Sequence, residues 1–218
     1  MARTPAPPQP TGTMNPAQLA RRRRVLDAVI DLVAAGRLDD MGMKDVAERS
    51  GVALGTIYRY FSSRDHLAAA ALADWAGALD DRPAVERKAE GGGRAAGEGQ
   101  GEDRGEAGGS MADRLVAVLR RGVRAYERQP HFARLLVLAA TSTDPHAGEC
   151  YSRMGTSVYG TLSAGLDGLD PVERKRVLDV VGAVWYQALI DWVNERKTIA
   201  EVYDAVESAA RLVLAGHD

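Results

Sequence analysis

Met43-Lys44-Asp45-Val46-Ala47-Glu48-Arg49-Ser50-Gly51-Val52-Ala53-Leu54-Gly55-Thr56-Ile57-Tyr58-Arg59-Tyr60-Phe61 reads as two short helices joined by a tight turn. In the first helix Met43, Val46 and Ala47 recur at i, i+3 and i+4, which is one helical face. Gly51 follows where a helix stop and a sharp turn need a residue tolerant of positive φ. Val52 has the character of a buried plug behind that turn. The second helix, about Leu54 to Tyr60, spans about 10 Å at about 1.5 Å per residue and fits a major groove about 12 Å wide. Thr56, Tyr58, Arg59 and Tyr60 are groups able to reach phosphates and base edges. So small a piece has little to bury alone and must be docked on a larger body. The pattern is that of a helix-turn-helix.

The run from Gly51 through Phe61 and on through Ser62-Ser63-Arg64-Asp65-His66-Leu67 closely resembles the DNA-binding signature of the TetR family, G-V-S-x-G-T-x-Y-x-Y-F-x-[ST]-K-x-x-L. With its flanking helices the resemblance covers about residues 18–75. Two positions depart from it. Gly42 stands where the family often has a capping Thr, and Arg64 replaces the usual Lys while keeping its charge.

The chain has 218 residues, 45% hydrophobic and 27% charged, the composition of an ordinary globular protein with one medium domain or a small head on a larger body. The longest apolar candidate, Val180 to Ile190, is interrupted by Gln187 and flanked by Asp179 and Asp191, so no membrane span is expected. The amino terminus lacks the apolar core of a secretory signal. Cys150 is the single cysteine, which fits a reducing cytoplasm and excludes an internal disulfide. The net charge of −2 is uneven: residues 1–67 hold 10 Lys/Arg against 7 Asp/Glu, and the remainder holds 18 against 23. A basic head on an acidic body suits a protein that touches DNA with one end.

Five segments are expected. Residues 1–14, rich in Pro and Thr, form a disordered tail. Residues 15–61 form the helix-turn-helix domain, opened by Asn15 as N-cap and Pro16 at the first helical position, with helix 1 ended by Gly36. The run Arg21-Arg22-Arg23-Arg24 on helix 1 is either a solvated face or a set of phosphate contacts. Residues 62–80 form a connecting helix 4, with Ser62 and Asp65 as its capping box. Residues 81–109 form a flexible insertion, since nine glycines among residues 91–109 and almost no large apolar group cannot repay ordering entropy. Residues 110–218 form a bundle of about five helices: one from Ser110 to Pro130, then 131–142, 144–166, 171–196 and 198–215. Nothing reads as strand. The predicted fold is all-α, about nine helices, with an N-terminal three-helix DNA-binding domain and a C-terminal ligand-binding and dimerisation bundle.

No Ser/His/Asp order, phosphate loop or catalytic carboxylate pair stands out, and neither an enzyme nor a cofactor is expected. His146 and Cys150 share a helical face at i, i+4, but no third ligand is in register, so no metal site is expected either. Phe132, Leu136, Tyr151, Met154, Tyr159, Trp185 and Trp192 are read either as plain core or as the lining of an apolar pocket.

The family resemblance adds specific implications. It implies a homodimer paired through the helices at about 171–196 and 198–215, set on a palindromic double-stranded operator, and acting usually as a repressor. It implies that Lys44, Leu54, Gly55, Thr56 and Arg59 face bases or the groove wall, and that Tyr58, Tyr60 and Arg64 hold phosphates. It implies a small-molecule effector in the bundle. The run Ala183-Val184-Trp185-Tyr186-Gln187-Ala188-Leu189-Ile190-Asp191-Trp192 further resembles actinobacterial repressors of sterol breakdown, a subgroup with steroid-type acyl-CoA effectors. A transcriptional activator of the same fold, or an all-α carrier or enzyme with a vestigial helix-turn-helix, are the alternatives.

Overall fold

The computed structural model describes residues 7–80 and 109–217. Among them all regular secondary structure is helical: a 3-10 turn at Thr11–Thr13, then α1 (Pro16–Ala34), α2 (Met43–Ser50), α3 (Leu54–Tyr60), α4 (Arg64–Asp80), α5 (Met111–Arg128), α6 (His131–Thr141), α7 (Pro145–Ser163), α8 (Pro171–Val193) and α9 (Ile199–Val213). The expected glycine-rich insertion, 81–109, lies outside the described residues except for Gly109.

Local chemistry explains most helix ends. Asn15 and Gln18 form a reciprocal capping box, with the Gln18 N–H donating to Asn15 at 3.0 Å and the Asn15 N–H to Gln18 at 2.8 Å. α1 stops in a Schellman motif: Gly36 has φ of 74°, its N–H donates to the Val33 carbonyl, and the Arg37 N–H donates to Leu32. Gly51 ends α2 in the same left-handed conformation, with φ of 64°. At Gly42, which has no side chain to cap α2, the Asp45 carboxylate takes the Gly42 N–H at 2.8 Å instead. Asp170 caps α8, and Thr198 and Glu201 box the start of α9.

Two boundaries depart from the expectation. α8 stops at Val193 rather than about 196, because Glu195 adopts φ of 57° and closes a Schellman motif with no glycine to announce it. Its N–H donates to Trp192 and that of Arg196 to Asp191. The cap of α4 is Ser63, not Ser62: the Ser63 hydroxyl accepts the His66 N–H at 3.0 Å, and the His66 Nδ1 accepts the Ser62 N–H at 3.1 Å. Asp65, the expected partner, accepts a hydrogen bond from the Ser142 hydroxyl.

The chain packs as two compact units, Met1–Gly77 with Tyr126–Val158 and Ala78–Ala125 with Tyr159–Asp218. This division does not follow the linear order of the expected segments, since α6 and most of α7 pack with the helix-turn-helix. The core of the first unit is built from the apolar stripe of α1 (Val25, Leu26, Val29, Leu32, Val33) together with Val46, Val52, Ile57, Tyr60 and Phe61. Each such side chain contributes about 1.5–3 kcal/mol on burial. Six consecutive residues of α4, Leu67 to Leu72, are buried. Four alanines there let neighbouring backbones approach this enclosed helix. In the second unit Leu115, Leu119 and Val123 of α5 join Leu162, Leu166, Val181, Leu189, Val202 and Val206 in one apolar core.

Candidate DNA-reading surface

α3 is a short helix anchored on one side only. Ile57 and Tyr60, at i and i+3, point into the core at 0% and 2% exposure. On the other side Gly55, Tyr58 and Arg59 are exposed, Leu54 and Thr56 are half-buried, and Lys44 is exposed on α2. Tyr58 stands 48% exposed. A Cβ built on Gly55 meets no atom within 4 Å. The glycine is therefore not demanded by packing inside the chain. It leaves the surface flat, so that another molecule can come close to the helix.

Two residues of the expected set play other parts in this structure. The Tyr60 ring is buried, and its hydroxyl accepts from Arg21 Nε at 3.5 Å, so the ring anchors α3 rather than standing out from it. Arg64 donates from Nε to the Met41 carbonyl at 2.9 Å and from Nη2 to the Leu38 carbonyl. It ties the start of α4 to the loop ahead of α2. This is a long-range clamp that no local spacing announces.

The arginine run divides similarly. Arg21 reaches Tyr60, the Arg22 guanidinium lies over the Phe61 ring at 5.1 Å, and Arg23 pairs with Asp27 at 2.8 Å and Asp74 at 3.2 Å. Arg24 is exposed. So these arginines help seat α3 and α4 against α1, a role the sequence reading missed.

Behind the helix-turn-helix, Asp144 is the main polar junction. One carboxylate oxygen caps α7 by accepting the N–H groups of His146 at 2.8 Å and Ala147 at 3.3 Å. The other accepts the hydroxyls of Ser62 and Ser63, the turn between α3 and α4. Beside it the His66 and His146 rings lie 5.3 Å apart. Burial, and then the neighbouring His146, push the His66 pKa down to about 4, so the ring is neutral at physiological pH. His146 and Cys150 do not form a ligand pair: Cys150 is buried and takes a contact from Arg153 at 3.3 Å. No group of three or more His, Cys, Asp or Glu among the described residues is arranged to hold a metal ion.

The expected pocket residues fall in both units. In the first, Phe132 is fully buried and stacks on Trp75 at 4.4 Å, with Tyr126 5.3 Å from the same indole. Trp75 donates to Gln129 at 3.1 Å. Leu136 and Met154 are buried there and Tyr151 is half-buried. Desolvation, with Tyr151 next to it, raises the Tyr126 pKa. Trp75 and Tyr126 thus extend the aromatic set beyond the expected residues. In the second unit Tyr159 donates to Asp179 at 2.8 Å, an exposed link between α7 and α8. Trp185 lies against Gly122, where an added Cβ would stand 2.5 Å from the indole. Trp192 is half-buried.

Two-thirds of the chain matches models of one family: residues 25–71 match "Bacterial regulatory proteins, tetR family", and residues 108–213 match "Tetracyclin repressor-like, C-terminal domain". The chain belongs to the TetR family of transcriptional regulators, with a helix-turn-helix DNA-binding domain. It is similar to the HTH-type transcriptional repressor KstR of Rhodococcus jostii, 28% identical over 199 residues, covering 91% of this chain and 84% of that protein. KstR of Mycobacterium tuberculosis is 27% identical, with 93% and 84% covered. A TetR transcriptional regulator from Rhodococcus sp. RHA1 superimposes with a TM-score of 0.72 at 26% identity, covering 92% of this chain and 98% of that one. FadR of Bacillus subtilis, solved in complex with stearoyl-CoA, shares the fold at 16% identity and a TM-score of 0.55, with 89% and 98% covered.

Proposed function

We propose that this chain is a homodimeric repressor that binds a palindromic operator and is released by a small apolar or acyl-CoA-type effector. The observation that carries the reading is the two-sidedness of α3: Ile57 and Tyr60 anchor it, while Gly55, Tyr58 and Arg59, with Lys44 beside them, face outward. Lys44, Leu54, Gly55, Thr56 and Arg59 are proposed to meet bases or the groove wall, and Tyr58 a phosphate. Tyr60 and Arg64 contribute by holding α3 and α4 in place.

Dimerisation through α8 and α9 is supported by apolar side chains left outside: Val172 at 61% exposure, Val180 at 48% and Leu212 at 76%. A two-fold pair fixes the spacing of two α3 helices, and half-sites must match it. The repressor assignment draws on the similarity to KstR. The acyl-CoA suggestion draws on that similarity and on the stearoyl-CoA held by the same fold in FadR. Phe132, Leu136, Tyr151 and Met154, beside Trp75, are proposed as an apolar ligand site within the first unit, and Tyr159, Trp185 and Trp192 as a separate candidate set within the second. An effector lowers operator affinity only through its differential affinity for two states, typically about 1–3 kcal/mol of coupling. Among the described residues no helix is long and apolar enough to cross a membrane, and we place the protein in the cytoplasm with its DNA.

The test is a gel shift with DNA from upstream of the protein's own gene, repeated with long-chain and steroid acyl-CoA thioesters. The reading expects a shifted band at moderate salt that a thioester removes. No shift on any genomic fragment, together with a monomer in sedimentation, would overturn it. A promoter fusion in a deletion strain separates repressor from activator: expression rises on deletion of a repressor and falls on deletion of an activator.

A further inference from the structure

Composition predicts a disordered tail through residue 14, yet residues 7–14 are docked on the helix-turn-helix. The Gln9 N–H donates to the Arg59 carbonyl at 2.9 Å, in the last turn of α3. Helix carbonyls left open at such an end repel an anion, and this one is covered. The Gln9 side-chain amide meets that of Gln18, on the first turn of α1, at 3.3 and 3.5 Å. The start of α1, the end of α3 and residues 7–14 therefore share one seam.

Tyr60 joins the same two helices. Its ring is buried, and its hydroxyl accepts from Arg21 Nε on α1 at 3.5 Å. The Arg59 guanidinium lies over the same ring, 5.5 Å from its centre. Burial opposes ionisation of this hydroxyl, yet hydrogen bonds and charge from Arg21 and Arg59 hold its pKa below the ordinary tyrosine value. Two cations thus border one phenol, and among the described residues neither forms an ion pair. Their neighbours in sequence are committed elsewhere, Arg22 to the Phe61 ring and Arg23 to Asp27 and Asp74. The stretches that build the seam supply no counter-ion, since no Asp or Glu occurs in residues 7–26 or in residues 51–64. Like charges gathered without a carboxylate burden the free protein and favour an arriving anion. Arg21 spends one of its N–H donors on Tyr60, which leaves a fork able to take a phosphate through two hydrogen bonds.

We propose that Arg21 and Arg59 clamp one phosphate of the DNA backbone between them, with Tyr60 as the post that sets both guanidiniums. The inference rests on the DNA-reading role of α3 proposed above, and it gives the groove-wall contact of Arg59 its chemistry. It adds Arg21, on α1, as a DNA ligand and makes Tyr60 a positioning residue.

The experiment is a salt titration of the full chain, Arg21→Met, Arg59→Met, Tyr60→Phe, and the double variants that combine Arg21→Met with each of the other two. The probe is a duplex selected by the full chain from a random-sequence pool, unmodified or with single backbone phosphates replaced by uncharged methylphosphonates. Each arginine variant should bind several-fold more weakly. Arg21→Met/Arg59→Met should lower the slope of log K against log salt by about one per half-site, because the two share a phosphate. Neutralising one backbone position in each half-site should weaken the native chain and leave that double variant unaffected, a readout that a merely structural loss would not give. Tyr60→Phe should also bind more weakly, and Arg21→Met should cost less in that background than alone. Melting temperatures of the arginine variants should stay at or above the native one, since a repulsion is relieved. A native slope in Arg21→Met/Arg59→Met, or a loss of about two per half-site, would overturn the shared clamp while leaving the repressor reading intact. So would a methylphosphonate scan that fails to tell this variant from the native chain. If inorganic phosphate raised the native melting temperature but not that of the double variant, with no backbone position affected, the site would belong to a free ion and the DNA contact would fall. A full chain that selects no duplex at all would overturn both readings.

Discussion

Asp144 accepts the hydroxyl of Ser63, 81 residues earlier in the chain, while its other oxygen caps α7. One carboxylate thus joins the turn that follows the reading helix to the start of a helix from the opposite half of the sequence. Replacing Asp144 by Ala removes an N-cap and takes the acceptor from the Ser63 hydroxyl, leaving the Ser62 hydroxyl only His66 Nδ1 at 3.1 Å, and should destabilise the protein by about 2–3 kcal/mol. In a double-mutant cycle with Ser63→Ala the two losses should fall short of additivity by about 1 kcal/mol or more. Urea unfolding of the four proteins measures this. Strictly additive midpoint shifts would mean that the contact has no energetic weight.

Acid should act on this junction in two separate windows. His66 is 7% exposed and faces the ring of Phe61 in the first turn beyond α3, His146, Asp144 and Glu149 from α7 and its start, and Arg22 from α1. Its pKa is depressed from 6.5 to about 4, so the unfolded chain binds the proton more readily than the folded one. Its contribution is therefore fully present above pH 6.5 and is lost progressively down to about pH 4, by up to about 3 kcal/mol. The Asp144 carboxyl is opposed by burial, yet the Ser63 hydroxyl and the His146 and Ala147 N–H groups hold it below the ordinary carboxylate range. Its share is present above the unfolded pKa and goes only as pH falls through that lower value. His66→Asn should flatten the stability profile in the upper window alone. An unaltered profile in that variant would assign the acid sensitivity to other groups.

Two glycines predict opposite outcomes for the same substitution. Gly55→Ala meets open space on a helix and should hold or raise stability, by up to about 1 kcal/mol. It should weaken binding to a duplex, because the added methyl stands on the face proposed to meet the groove. Gly122→Ala would put a Cβ 2.5 Å from the Trp185 ring and should destabilise by about 1–3 kcal/mol through forced repacking. Thermal melts and one DNA titration read both effects. A Gly55→Ala protein that binds as tightly as the native chain would remove this face from the interface.

Glu195 is the described non-glycine residue with positive φ, at 57°. A left-handed conformation costs an L-residue about 1–2 kcal/mol, so Glu195→Gly should stabilise the end of α8 by a part of that, about 1 kcal/mol. A lowered melting temperature would show that the Glu195 side chain contributes more than its backbone loses.

How far the sequence revealed all this depended on whether the signal was local. Gly36 and Gly51 marked helix ends because only glycine adopts their φ cheaply, and the Asn15, Asp170 and Thr198 caps lie within three residues of their partners. Glu195 performs the same task as Gly36 without the marker, so α8 reads too long. The i, i+3 spacing of Ile57 and Tyr60 could have placed Tyr60 inside, but a polar aromatic in a DNA-binding signature invites the outward reading. The Arg64 clamp on Leu38 and Met41, the Asp144–Ser63 contact and the stack of Trp75 on Phe132 join residues 23 to 81 positions apart or packed across helices, and no periodicity encodes them. The segment 7–14, docked on α3 by the Gln9 N–H, which donates to the Arg59 carbonyl at 2.9 Å, was hidden for another reason. Its composition is that of a disordered tail, and only the open carbonyl of Arg59 and the amide of Gln18 give it somewhere to dock.

The most direct test of the account is the salt dependence of duplex binding by the native chain, Tyr58→Ala and Lys44→Ala, on one DNA selected from a random pool and on a scrambled duplex. The outward face of α3 as the DNA reader predicts that Tyr58→Ala binds both duplexes more weakly at a native salt slope, while Lys44→Ala flattens the slope and narrows the gap between selected and scrambled DNA. Native affinity, slope and discrimination in both variants would contradict it, because residues that stand on the reading surface cannot be silent there.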